Sequence, residues 1–196
     1  MNSLQSAFSH DHYVFRRKVL RFFGGEFNIY DADGNLVMYS EQKAFKLKED
    51  IHIYTEKQMS NEVLNIRARQ RIDFGATYDV IDAPSGERIG ALRRKGLKSM
   101  LRDEWLFLDS QDQEIGTIKE DNVAMALIRR AGLSWLLPQR YTISVQGQCV
   151  ASLKQHFNPF VLKYILDLSN DHEKRLDTRL AVAGGILFCA IERRQS

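Results

Sequence analysis

Apolar and polar residues alternate along most of this chain, and short polar turns punctuate the alternation. Residues 27–31 turn at Asp33, Gly34 and Asn35 into 36–39. Residues 78–82 turn through Pro84, Ser85 and Gly86 into 88–92. Residues 105–109 turn near Gln111 and Asp112 into 114–118, and residues 141–145 turn at Gly147 into 149–153. A period of two places one face of a strand in the core and the other in water. Each turn supplies a residue that tolerates positive φ or bonds its own backbone, so the pattern predicts four β-hairpins. Further strands are predicted over 13–20, 45–48, 51–55, 63–72 and 160–168. So many hairpins in succession predict an antiparallel barrel or sandwich.

Two segments break the alternation. Asp121 and Asn122 are suited to cap a short helix over 123–130, closed by Gly132 and stopped by Pro138. Its apolar residues, with Trp135, Leu136 and Leu137, are expected to cover one end of the sheet. The second break is the run 180–191, which is apolar on every side. A helix with no polar face must be surrounded by protein. The run is too short for a membrane span, which needs roughly 20 residues. Asp177 is placed to cap its start, and Glu192, Arg193 and Arg194 mark its exit, so a central buried helix is predicted over 177–193. Gly184 and Gly185 inside it each cost roughly 1 kcal/mol relative to alanine. That cost makes sense where strand side chains must approach the helix axis closely. The pattern describes a sheet wrapped around its own C-terminal helix.

Composition narrows the class. The chain has 196 residues, 44% of them hydrophobic, enough for one domain over 1–196 with a substantial core. No linker or low-complexity segment interrupts it. Residues 1–11 are polar and lack the apolar centre of a signal peptide, so a flexible N-terminus and an intracellular, cytoplasmic protein are expected. Cys149 and Cys189 stand far apart without a Cys-x-x-Cys pairing, which suggests neither a disulfide framework nor a zinc site. Cys189 falls inside the buried helix and is expected to pack as a small hydrophobe. The net charge of +3 is far from that of a polybasic nucleic-acid binder, and no nucleic acid is expected as partner.

The order of these elements resembles the Tubby C-terminal-like superfamily, and within it the LURP-one-related and phospholipid-scramblase branch. The resemblance is carried by residues 13–19, the hairpin at 27–37, the segment 43–48 with 51–54, the hairpins beginning at Tyr78 and Tyr141, and the terminal helix. The stretch from Leu137 through 157–160 to 166–168 is similar to bacterial members of the branch. The resemblance implies a mainly β fold: a closed antiparallel barrel of about twelve strands around a buried C-terminal α-helix. It implies no catalytic residues, no cofactor and no enzyme. What it implies about partners concerns membranes. Tubby-type domains bind phosphoinositides, scramblases were named for calcium-dependent lipid movement, and LURP-one-related proteins are associated with stress or defence.

The candidate ligand-binding residues are Arg93, Arg94, Lys95, Lys98 and Arg102, interleaved with Leu97, Met100 and Leu101. A basic loop with apolar neighbours suits an anionic bilayer or a phosphorylated head group, where each cation contributes about 1 kcal/mol. The plainer reading is a solvated hairpin end balanced by Asp103 and Glu104. Arg67, Arg69 and Arg71 alternate and share a face, and cross-strand acids are their expected partners. Arg16, Arg17, Lys18 and Arg21 suggest an exposed edge that discourages aggregation.

Metal and catalytic motifs are poorly matched. Residues 31–35 resemble a calcium loop with a misplaced glycine and read as a turn. Asp167, Ser169, Asp171 and Glu173 have alternate spacing, but His172 takes the glycine position and Thr178 that of the terminal acid, so a helix-capping acidic turn is expected. His10 and His12 flank Asp11 in the N-terminal segment, His52, His156 and His172 fall in separate segments, and no nucleophile-elbow, phosphate-loop or His-Glu-x-x-His motif occurs. The function expected is a non-catalytic module that binds anionic phospholipid or phosphoinositide head groups through basic loops, peripheral at the inner membrane face. A protein-interaction scaffold and a lipid scramblase are the alternatives.

Overall fold

The predicted turns take the backbone shapes their residues allow. Gly34 has φ of 87° and Asp112 of 65°, both in the left-handed region that a tight hairpin requires. In the computed structural model, residues 6–18, 25–42, 50–69, 76–95, 104–121, 139–156 and 161–191 are described. The strands are β1 (His12–Lys18), β2 (Gly25–Tyr30), β3 (Leu36–Gln42), β4 (Ile51–Tyr54), β5 (Glu62–Ala68) and β6 (Thr77–Asp82). They continue as β7 (Arg88–Arg94), β8 (Glu104–Leu108), β9 (Glu114–Glu120), β10 (Arg140–Val145), β11 (Gln148–His156) and β12 (Val161–Asp167), followed by the helix α1 (Thr178–Ile191).

Each strand pairs antiparallel with its sequence neighbours, and β1 pairs with β12 to close a barrel of twelve strands. Closure corrects one expectation. The basic residues of β1 do not mark an exposed edge, because β1 is bonded on both sides. Arg17 lies on the inner face and is only 2% exposed. Arg21 lies outside the described residues, as do the expected strand over 45–48, the helix over 123–130 and Trp135, Leu136 and Leu137.

The inner face follows the period of two. Tyr13, Phe15, Phe27, Ile29, Leu92, Phe107, Tyr141 and Leu166 are buried and form one core with α1. Every residue of α1 from 180 to 190 is buried. Asp177 caps the helix as expected: its Oδ1 accepts a hydrogen bond from the Arg179 amide at 2.8 Å. The paired glycines have the predicted role. A Cβ on Gly185 would stand 2.5 Å from Phe15 Cζ, and one on Gly184 3.2 Å from Ile118 Cδ1.

The helix gives the barrel two distinct ends. At the head end, where α1 begins, Arg179 reaches Asp82, the last residue of β6, at 2.9 Å. At the tail end, where α1 finishes, Phe188 packs on Trp105 and Tyr141, and Arg17 donates to the Cys189 carbonyl at 3.2 Å. Part of the N-terminal segment expected to be flexible is packed at the head end. Ala7 is buried, and the Leu168 amide donates to the Asp11 carbonyl at 2.7 Å. Residues 1–5 lie outside the described residues.

Candidate functional site

The predicted basic run starts on β7 at the tail end. Its residues divide by strand face. Arg94 pairs in register with Trp105, whose ring packs on Phe188, so Arg94 shares the inner face with the helix. Arg93 lies on the outer face, where its nearest hydrogen-bonding partner is the Thr77 hydroxyl at 3.4 Å. Lys95 donates to Glu104 Oε1 at 2.7 Å, and Lys119 reaches the same carboxylate at 3.4 Å. The balance by Glu104 foreseen from the sequence is therefore made for Lys95. Burial pushes the Glu104 carboxyl up, but the bonds and charges of Lys95 and Lys119 outweigh it and hold it below its ordinary value. Lys98 and Arg102 lie outside the described residues. Of the five candidate residues, Arg93 combines an outward position with no carboxylate partner among the described residues.

The arginines of β5 have the acids expected for them. Arg67 meets Asp50 at 3.0 Å. Arg69 meets Asp79 at 2.7 Å and Asp112 at 2.6 Å, and Arg88 meets the same two carboxylates. Two arginines and two aspartates thus tie the β8–β9 turn to β5, β6 and β7. Arg71 lies outside the described residues. This network serves the wall of the barrel and leaves little charge for a ligand.

The two acidic segments behave as turns. Asp31 accepts from the Asn35 amide at 2.8 Å and from its side chain at 3.0 Å. Asp171 accepts from the amides of Arg175 and Leu176, both at 2.9 Å. Asp167 accepts from the amide and hydroxyl of Ser169 and meets His12 at 3.3 Å. Their oxygens are committed to hydrogen-bond donors, as an Asx-type turn requires. Among the described residues no group of three His, Cys, Asp or Glu side chains is placed to hold a metal ion. Cys189 is fully buried, and burial pushes its thiol far up, so it packs as a hydrophobe.

The LURP-one-related family model matches residues 37–188, from β3 to the penultimate turn of α1. The chain belongs to the LURP-one-related family. No curated protein is matched. The match to this LURP-one-related protein spans the strands from β3 to β12, the basic run that starts on β7 and most of the buried helix. Among the described residues no helix is long and apolar enough to cross a membrane.

Several carboxylates here link the fold to pH. Asp82 and Asp167 resemble Glu104: burial, the largest single influence, pushes each up, and several hydrogen bonds with a nearby positive charge together hold each below its ordinary value. A folded pKa below the unfolded one adds stability above about pH 4, which is lost as pH falls through the folded value. These carboxylates should therefore make the midpoint of thermal unfolding fall steeply below about pH 4. A calorimetric series across that range checks it. A midpoint that rises on acidification would contradict the assignment.

Proposed function

We propose that this LURP-one-related protein is a non-catalytic module that binds anionic phospholipid head groups, phosphoinositides among them, at the inner membrane face. The observation that carries the reading is the division of charge between the two ends of the barrel. The sequences that join β1 to β2, β3 to β4, β5 to β6, β7 to β8 and β9 to β10 carry Arg21, Lys43, Lys46, Lys48, Arg69, Arg71, Lys95, Lys98, Arg102, Arg129 and Arg130, against the acids Glu49, Asp50, Asp73, Asp103 and Asp121. Phe22, Phe23, Phe45, Met100 and Trp135 are interleaved with them. The head-end connections have the opposite balance, with Asp31, Asp33, Glu56, Glu87, Asp109, Asp112, Asp171, Glu173 and Asp177 against Lys57, Lys174 and Arg175. Connecting sequences that are basic on one set of strand ends and acidic on the other suit orientation by an anionic surface. Surface contact suits this chain better than translocation of lipid. The fourteen residues of α1 fall short of the roughly 20 that a span needs, and they fill the core.

Co-sedimentation with vesicles tests the proposal. Binding should rise with phosphatidylserine content and fall with added salt, since exposed charges are screened within about 10 Å at 0.1 M. The variant Arg93→Ala with Lys98→Ala and Arg102→Ala should bind about a hundredfold more weakly, at about 1 kcal/mol per cation, with unchanged melting. Wild-type affinity in that variant rejects the basic run as the contact.

A further inference from the structure

The wall formed by β10, β11, β12 and β1 carries a group of cations that no sequence pattern had brought together. Phe15 pairs with Tyr164 on the inner face, so their neighbours point outward. On that outer face Arg16 stands directly opposite Lys163, and Lys163 directly opposite His156. One row further along, Lys154 stands opposite Arg140. The five residues occupy four adjacent strands. Strands are spaced by about 4.8 Å, so the group spans about 15 Å. Arg16, Lys154 and Arg140 are exposed, and Lys163 and His156 half-buried.

Like charges placed directly opposite each other destabilise a sheet. The arginines of β5 show how this fold ordinarily answers that problem, with Asp50, Asp79 and Asp112. The group on β10–β1 has no such answer. Among the described residues no carboxylate is paired with any of its members, and the one contact of the Arg16 guanidinium is with the Tyr30 ring, 4.9 Å from its centroid. Burial, then the charges of Lys163 and Lys154, hold the His156 imidazole below its ordinary pKa. Half-buried Val14 and Ile165 form the adjoining outward pair. Cations beside apolar side chains match a bilayer interface, where phosphates and the first acyl carbons meet.

We propose that this outer wall is a docking face for the phosphate groups of an anionic bilayer, with Arg16, Lys163, Lys154 and Arg140 as the contacting cations. The inference rests on the membrane reading above and sharpens it. β12 lies five strands from β7 around the barrel, but Arg93, Arg16, Lys163, Lys154 and Arg140 all lie in the tail-end halves of their strands, so a surface under that end reaches both. A barrel seated on this face leans onto β11, β12 and β1.

The test compares the full chain, the Arg93/Lys98/Arg102 variant and a Lys154→Thr, Lys163→Thr variant on phosphatidylcholine vesicles with and without phosphatidylserine. The wall variant should partition about twentyfold more weakly, from about fivefold per cation. It should also melt about 1–4 °C higher, because two like-charge oppositions are relieved. Wild-type partitioning in the wall variant, with loss confined to the Arg93 variant, overturns the docking face and leaves the membrane reading standing. A wild-type chain that ignores phosphatidylserine overturns both. A melting point that is unchanged or lowered in the wall variant shows the cations already satisfied within the fold, and likewise overturns the proposal.

Discussion

Replacing Gly185 by valine should destabilise the protein by on the order of 3 kcal/mol. The cause is local. A Cβ at Gly185 would meet three atoms of the Phe15 ring at 2.5, 2.7 and 3.1 Å. Phe15 is fully buried on β1, between β12 and β2, and has nowhere to withdraw. Alanine at the same site should cost less, about 1–2 kcal/mol, because its better helix propensity returns about 1 kcal/mol of the overpacking. Gly184 is the internal control. A Cβ there meets the ends of the Ile118 and Leu92 side chains at 3.2 and 3.3 Å and Phe107 Cζ at an ordinary 3.6 Å, so Gly184→Ala should stay within about 1 kcal/mol of wild type. Urea denaturation of the three variants decides it. The double variant Phe15→Leu, Gly185→Ala should recover part of the loss. Equal stability of Gly184→Ala and Gly185→Ala would show that the helix is not held against β1 as described.

The second large effect is expected at Arg17. Its guanidinium is 2% exposed, donates to the Cys189 carbonyl at 3.2 Å and lies 5.0 Å from the centre of the Phe27 ring. Cys189 is in the last turn of α1, whose final carbonyls have no partner within the helix. A cation placed there satisfies a carbonyl and opposes the negative end of the helix dipole. Arg17→Met keeps much of the volume and removes both, and should cost about 2–4 kcal/mol, since a hydrogen bond from a charged donor alone is worth about 1.5–3. Arg17→Lys should fall between, because an ammonium keeps the charge but not the planar fork. A loss below about 1 kcal/mol in Arg17→Met, by the same denaturation series, would show the carbonyl served as well without the guanidinium.

The hairpins were legible because their signals are local. Asp33, Gly34 and Asn35, or Gln146 and Gly147, fix a turn within a few residues, and the period of two then assigns each side chain to a face. The helix was legible for a different reason: a run without a polar face admits one environment. Gly184 and Gly185 even indicated its close approach to the wall. Arg17 was misread because position within Arg16-Arg17-Lys18 says nothing about face until Tyr13 and Phe15 set the register. The wall cations were missed for a related reason. Arg16, Arg140, Lys154 and Lys163 are scattered over the sequence, and only the register of four strands makes them neighbours. The run from Arg93 to Arg102 had the reverse fault. Proximity in sequence suggested one cluster, yet alternation sends Arg93 and Arg94 to opposite faces.

The seam between β1 and β12 has a consequence for how the chain reaches its native state. His12 is bonded beside Asp167, so the last wall contact joins segments separated by nearly the whole domain. Such distant pairings make for slow folding, because chain entropy must be surrendered before the contact forms. On the ribosome the delay is longer still. Eleven strands emerge before the second partner of the first, and the apolar plug that fills their interior is translated after all of them. Until then the nascent sheet exposes both its oily lining and an unpaired margin at β1, the two features most apt to recruit a chaperone.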